Sequence, residues 1–173
     1  MITVERVKLG EIPQVKKVLS RTWKDTYGSF YSDEAIRKIT SSWHSPKVLT
    51  AQAKDPKFYF AVAKDKKRNI VGLITVRKLS KDAAFMGRLY VDPSYQRKGI
   101  GMHLLKSALR HFSGIKTMKL ECEKQNNKAC AFYLKQGFKV VGEKGETVEG
   151  VTMKTVVMEK KFGRHKPQYN RGC

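Results

Sequence analysis

The chain has 173 residues, 40% hydrophobic and 29% charged, with 36 lysines and arginines against 15 acids and a formal net charge of +21. That length and apolar content fit one domain with its own core and exclude a mostly disordered chain, while the absence of any apolar run near ~20 residues excludes a membrane span. The charge favours anionic ligands and admits nucleic acid, yet the cations are scattered as Lys-Lys pairs over nearly every predicted element, as on a lysine-rich solvated surface, so charge alone identifies no partner.

Residues 2–7 alternate and predict an edge strand; Met1-Ile2-Thr3-Val4 opens that pattern rather than a signal peptide. Residues 11–27 carry Ile12, Val15, Val18, Leu19 and Trp23 at helical spacing, with Pro13 tolerated in the first turn. A short helix over 33–39, capped by Ser32 or Asp33, and a third over 47–53 follow. Residues 58–63 and 70–77 predict a hairpin around the charged turn 65–69, and 83–91 the next strand. A helix begins at Ile100, a strand spans 115–122, and a helix over 129–136 closes on Gly137. Residues 138–142 and 151–159 are two last strands around a turn rich in Gly and Glu. Nothing periodic follows Lys160, so we expect one α/β domain with a mixed sheet over 1–161 and a basic tail over 162–173. Cys122, Cys130 and Cys173 form an odd, sparse set without metal spacing, which fits a reducing cytoplasm; Cys122 and Cys130 read as small core residues.

Two stretches carry chemistry. Leu89, Tyr90 and Val91 end a strand, Asp92-Pro93 turns, and Ile100, Leu104, Leu105, Ala108 and Leu109 recur as one helix face. Gln96-Arg97-Lys98-Gly99-Ile100-Gly101 therefore sits at a strand-to-helix junction. Glycines there admit close approach of a ligand, and the helix start presents unpaired N–H groups, which together suit a diphosphate. A dinucleotide fingerprint does not fit, because the loop follows the fourth strand and lacks the third glycine; no Gly-Lys-Ser/Thr supplies a Walker loop.

The second stretch, 120–143, reads LECEKQNNKACAFYLKQGFKVVGE. With Gln96, Gly99 and Gly101 in the form Gln/Arg-x-x-Gly-x-Gly/Ala, and Asn126, Ala129, Phe132, Tyr133, Gly137 and Phe138 in order behind them, the chain resembles the GNAT N-acetyltransferase superfamily. The likeness covers residues 2–161 in architecture and is sharp over 88–143. It implies a mostly antiparallel sheet splayed between its fourth and fifth strands, with acetyl-CoA lying in the gap.

By that resemblance, the backbone of Leu89, Tyr90 and Val91 would serve the pantetheine arm, and one amide there would polarise the thioester carbonyl. Gln96 and the segment Arg97, Lys98, Gly99, Ile100, Gly101 and Met102 would cradle the diphosphate; Arg97 and Lys98 are equally well read as plain surface cations. Asn126 would hold the pantetheine side, and Lys135 or Lys128 the adenosine phosphate. Tyr133 stands where the family places a general acid; without the motif it reads as a core tyrosine. For the base, Glu121 and Glu123 face the same side of their strand, and Glu121, five residues before Asn126, shares the spacing of the glutamate base in ribosomal-protein N-terminal acetyltransferases. Glu121 is our choice, with solvated carboxylates and a water chain as the alternatives. No Cys or His is placed for a covalent acetyl-enzyme, so direct transfer is expected.

The acceptor walls implied by the resemblance are 21–32 and 143–150. Asp25, Asp33, Glu34, Glu143, Glu146 and Glu149 lie in or beside them, and Trp23, Tyr27, Phe30 and Tyr31 add aromatic faces suited to ammonium groups. Trp23, Tyr27, Tyr31 and Glu146 are the expected acceptor residues, although Trp23 and Tyr27, four apart, also read as a core stripe. The stretch TWKDTYGSFYSDEAI loosely resembles PaiA-type polyamine N-acetyltransferases. The expectation is an acetyl-CoA-dependent acetyltransferase acting on a polyamine or other small cationic amine. A protein N-terminal or lysine acetyltransferase is the near rival, and a non-catalytic acyl-CoA or nucleic-acid module the rival of another class; a homodimer is compatible with all three.

Overall fold

The computed structural model describes residues 1–163. A seven-stranded sheet has the order β1-β2-β3-β4-β5-β7-β6, formed by β1 Thr3–Arg6, β2 Phe58–Lys64, β3 Ile70–Lys78, β4 Ala83–Val91, β5 Thr117–Glu123, β6 Lys139–Val148 and β7 Val151–Lys161. Every neighbouring pair is antiparallel except β4 and β5. A parallel pair needs a crossover, and α4, Ile100–His111, supplies it.

Helices cover both faces, which is why β2 and β3 read as nearly unbroken apolar runs. One face carries α4 and α5, Asn127–Lys135; Ile100, Leu104, Leu105 and Ala108 form the buried stripe of α4, packed with Met118, Leu120, Tyr133 and Phe138. The other face carries α1, Ile12–Tyr27, α2, Asp33–Trp43, and α3, Pro46–Lys54. There the α1 stripe Ile12, Val15, Val18 and Leu19 meets Phe60, Val62 and Leu73, each such side chain contributing about 1.5–3 kcal/mol on burial. The same helix continues into a second cluster of Trp23, Tyr27, Ile36, Ile39 and Met153. Ser32 caps α2 by accepting from Ala35 N–H at 3.2 Å, and Ser45 caps α3 by accepting from Val48 N–H at 3.2 Å.

Three expectations are corrected. Helix α2 runs on from residue 39 to Trp43, its last turn lying beneath β4 through Arg88, whose guanidinium donates to the Trp43 carbonyl and to Gln52, both at 2.6 Å. Residues 143–148, expected as a turn, are strand: β6 pairs with β7 as far as Val148–Val151, and only Glu149 and Gly150, at φ 50° and 78°, make the turn. The last strand, expected over 151–159, runs on to Lys161: Lys160 and Lys161 pair with Met118 and Thr117 at the end of β7. Residues 164–173 of the expected tail lie outside the described residues.

Candidate active site

The sheet opens where β4 and β5 part. Their parallel ladder joins Ala83–Ala84–Phe85–Met86 to Thr117–Met118–Lys119–Leu120 and stops. At that point β4 carries a bulge: Val76 opposes Met86 and Thr75 opposes Arg88, leaving Gly87 unmatched, and a bulge bends and twists its strand. Beyond it β4 stays with β3 while Glu121, Cys122 and Glu123 stay with β7. Leu89, Tyr90 and Val91 thus run along one lip of a wedge, with backbone groups that have no ladder partner on the β5 side.

Past Val91 the chain is tied down. Asp92, buried, accepts from Ser94 N–H at 3.1 Å and pairs with Arg21 of α1 at 2.6 Å. Gln96 donates through Nε2 to the Val91 carbonyl at 3.1 Å, folding the loop onto the strand end. Arg97 takes φ 61° and Gly99 φ 78°. A left-handed non-glycine costs about 1–2 kcal/mol, so the loop at Arg97 is held by its surroundings. The first bond into α4 runs from His103 N–H to the Gly99 carbonyl at 3.1 Å, so the amides of Ile100, Gly101 and Met102 come before the helical ladder and are free for an anion. Lys98 turns back: its ammonium donates to the Ser94 carbonyl at 3.0 Å and lies over the Tyr95 ring. A Cβ at Gly99 would meet nothing within 4 Å, whereas one at Gly101 would touch Phe132 at 3.7 Å and Val91 at 3.9 Å. A methyl group at Gly101 would therefore rest on both lips at ordinary van der Waals distance.

On the β5 side, Asn126 caps α5 by accepting from Ala129 N–H at 3.0 Å. Tyr133 lies further along α5, buried, with its ring edge-on to Phe132 and Phe138. Burial pushes its phenol pKa far up, and the nearby Cys122, Tyr90 and Cys130 add to the shift, so it stays protonated. Its hydroxyl has no protein hydrogen bond among the described residues. Cys122 and Cys130 are free thiols with sulfurs 3.4 Å apart between β5 and α5. Lys128 and Lys135 are exposed on α5.

The acceptor side rearranges the expected cast. Glu121 is engaged by Lys144, whose ammonium lies 3.3 Å from it and 3.5 Å from Glu146, so these two acids share one cation on β6. Glu123, two residues on, is 3% exposed. Its Oε2 accepts from the Tyr31 hydroxyl at 2.7 Å, and its Oε1 is buried without a partner. Trp23 is 1% exposed, packed between Tyr27, Trp43 and His44, and Tyr27 is buried beside it; both belong to the core stripe, which corrects their placing as open acceptor faces. Tyr31 remains half-buried at the loop before α2. The acidic patch is also corrected. Glu34 pairs with Lys38 at 2.9 Å and Glu143 with Lys124 at 2.8 Å, so much of that charge is cancelled locally. What sequence reasoning underrated is Glu123; its signal was its position at the end of β5, but its hydrogen-bond partner, Tyr31, lies 92 residues earlier.

Residues 29–162 match the family model described as an acetyltransferase (GNAT) domain. Spermidine N(1)-acetyltransferase of Thermoplasma acidophilum is 29% identical over 169 residues, covering 93% of this chain and 98% of that protein. The crystal structure of PaiA N-acetyltransferase from Thermoplasma acidophilum in complex with coenzyme A superposes with a TM-score of 0.80 at 27% identity, covering 94% of this chain and 99% of that one. The ribosomal-protein-S18-alanine N-acetyltransferase of Escherichia coli shares the fold, with a TM-score of 0.72 at 17% identity over 95% of this chain and 98% of that one.

Proposed function

The chain belongs to the GNAT acetyltransferase family, and on that premise we propose that it moves an acetyl group from acetyl-CoA by direct transfer to a primary amine of a polyamine-like cation. The observation that carries the acceptor class is the likeness to spermidine N(1)-acetyltransferase over 93% of this chain, a span that must take in most of the first two helices as well as the nucleotide loop.

Acetyl-CoA fits the residues present. The free amides of Ile100, Gly101 and Met102 behind the left-handed Gly99 suit its diphosphate, with Arg97 adding charge from an exposed side chain. The unpaired lip of Leu89, Tyr90 and Val91 suits its pantetheine amides, with Asn126 on the facing wall. When bound it supplies an activated acyl carbon and a thiolate leaving group. Tyr133, held protonated by burial, would be the donor that returns a proton to the departing sulfur. Lys98, turned back to Ser94, has at most a secondary part, and Lys135 is an exposed cation within the likeness.

The test is acetyl-CoA consumption across monoamines, diamines, spermidine, spermine and peptides. Spermidine and spermine are expected to give the highest kcat/KM, with KM rising with salt because exposed charges are screened over about 10 Å at 0.1 M. Inert polyamines beside a rapidly acetylated peptide would overturn the acceptor and leave the acetyltransferase.

A further inference from the structure

Glu123 stands apart from the rest of the chain's electrostatics. The protein has 36 lysines and arginines for 15 acids, and its other buried acid, Asp92, has Arg21 at 2.6 Å. Buried Lys64 is bracketed by Glu5 and Glu11. Glu121, Glu143, Glu146 and Glu159 each have a lysine. Among the described residues Glu123 has no ion pair, and Oε1 has no hydrogen-bond donor of any kind. An unpaired carboxylate out of water is costly, and folds tolerate one where a ligand completes it. Its place is the end of β5, on the facing wall of the wedge across from Leu89, Tyr90 and Val91. The side chain projects to the α1–α2 face, where the Tyr31 hydroxyl holds Oε2 at 2.7 Å. Burial and that bond keep the Tyr31 phenol protonated, so it remains a donor and leaves Oε1 for another.

We propose that the Glu123 carboxylate seats the acceptor's ammonium group and takes one of its protons, with the Tyr31 hydroxyl fixing the carboxylate from the α1–α2 loop. This assignment rests on the amine-acetyltransferase reading and gives it a specificity element: a cation completes the site, and a neutral hydroxyl does not. The balance closes on three ammonium protons. One passes to Glu123 Oε1 and on to water as the nitrogen lone pair attacks the acyl carbon. The C–N bond forms, the C–S bond breaks, and the sulfur leaves with the electron pair. A second proton stays on the amide nitrogen; the third leaves the nitrogen as the tetrahedral intermediate collapses and, by way of water, restores the phenol proton that Tyr133 gives the sulfur. Tyr31 touches no reacting atom and is a positioning residue.

Glu123→Gln keeps the shape and an oxygen for Tyr31, so folding should survive. Its kcat/KM for spermidine should fall by about 10²–10⁴-fold, the span of a lost proton acceptor. By calorimetry it should lose at least tenfold in spermidine affinity and keep its CoA affinity, a pattern that a purely structural glutamate would not give. Glu123→Asp should recover part of the rate. Tyr31→Phe, a change at a half-buried loop position, should raise KM for spermidine more than it lowers kcat. Wild-type spermidine affinity and kcat/KM in Glu123→Gln would overturn the assignment and leave the acetyltransferase intact. A wild-type enzyme that binds CoA but acetylates no amine would overturn the underlying reading and this one with it.

Discussion

Replacing Tyr133 by Phe deletes one oxygen from a buried ring and should separate chemistry from stability. The ring keeps its edge-on packing on Phe132 and Phe138. Because the hydroxyl has no protein hydrogen bond among the described residues, its loss leaves no partner stranded, and the usual penalty of about 1–3 kcal/mol for an orphaned group does not arise. Unfolding free energy should therefore change by less than about 1 kcal/mol. Catalysis should change far more. A general acid contributes ~10²–10⁴-fold, equivalent to about 2.7–5.5 kcal/mol of barrier. Since the phenol acts on the leaving group rather than on bound CoA, kcat should carry the loss and CoA affinity should hold. Burial lifts the phenol pKa far above its ordinary value, so the wild-type donor stays protonated and should add no descending limb below about pH 10. Steady-state kinetics, CoA calorimetry and urea denaturation on one preparation decide it. Full turnover in the variant at every pH, or a stability loss matching the rate loss, would refute the reasoning.

Further outcomes are expected. Gly99→Ala should cost about 1–2 kcal/mol, because φ 78° is left-handed although the surrounding space is open. Gly101→Ala should fold at least as well as wild type, since its Cβ meets Phe132 and Val91 at ordinary distance, whereas Gly101→Val should lose CoA affinity in calorimetry. Burial, with Arg88 nearby, lowers the His44 pKa from the ordinary 6.5 to about 3. The unfolded chain therefore binds a proton below about pH 6.5 that the fold refuses, and stability is lost as pH falls from 6.5 towards 3; His44→Gln should spare about 2 kcal/mol of that loss between pH 7.5 and 5 in urea titrations. Diamide treatment should couple Cys122 to Cys130, whose sulfurs lie 3.4 Å apart, seen after digestion as a peptide cross-linked between these two residues and absent from Cys130→Ala.

The elements around the nucleotide loop were legible because each is marked locally: Asp92-Pro93 ends β4, Gly99 starts α4, and Asn126 and Gly137 bracket α5. The β6–β7 hairpin was not. Glu143, Gly145 and Glu146 read as part of a turn, and only cross-strand pairing of 143–148 with residues 151–156 holds them extended. Alternation puts both glutamates of β5 on one face, and in the sequence only the spacing to Asn126 set Glu121 ahead of Glu123. What separates them is distant in the chain: Lys144 takes Glu121, and Tyr31 takes Glu123. Trp23 and Tyr31 are separated in the same way, by whether α2 and β7 close over the ring or leave it at the loop.

The single parallel pairing has a consequence for how the molecule holds together. Strands β1 to β4 form one antiparallel block and β5 to β7 another, and the ladder between the blocks is four residue pairs long, against seven between β5 and β7. The sheet is two plates joined by a short hinge of hydrogen bonds, with the crossover helix as the strap. A ligand lying in the wedge touches both plates and acts as a rivet. At a hundred times its Kd it would add about 2.7 kcal/mol to the join, and slowed amide exchange should spread outward from Met86 and Leu120.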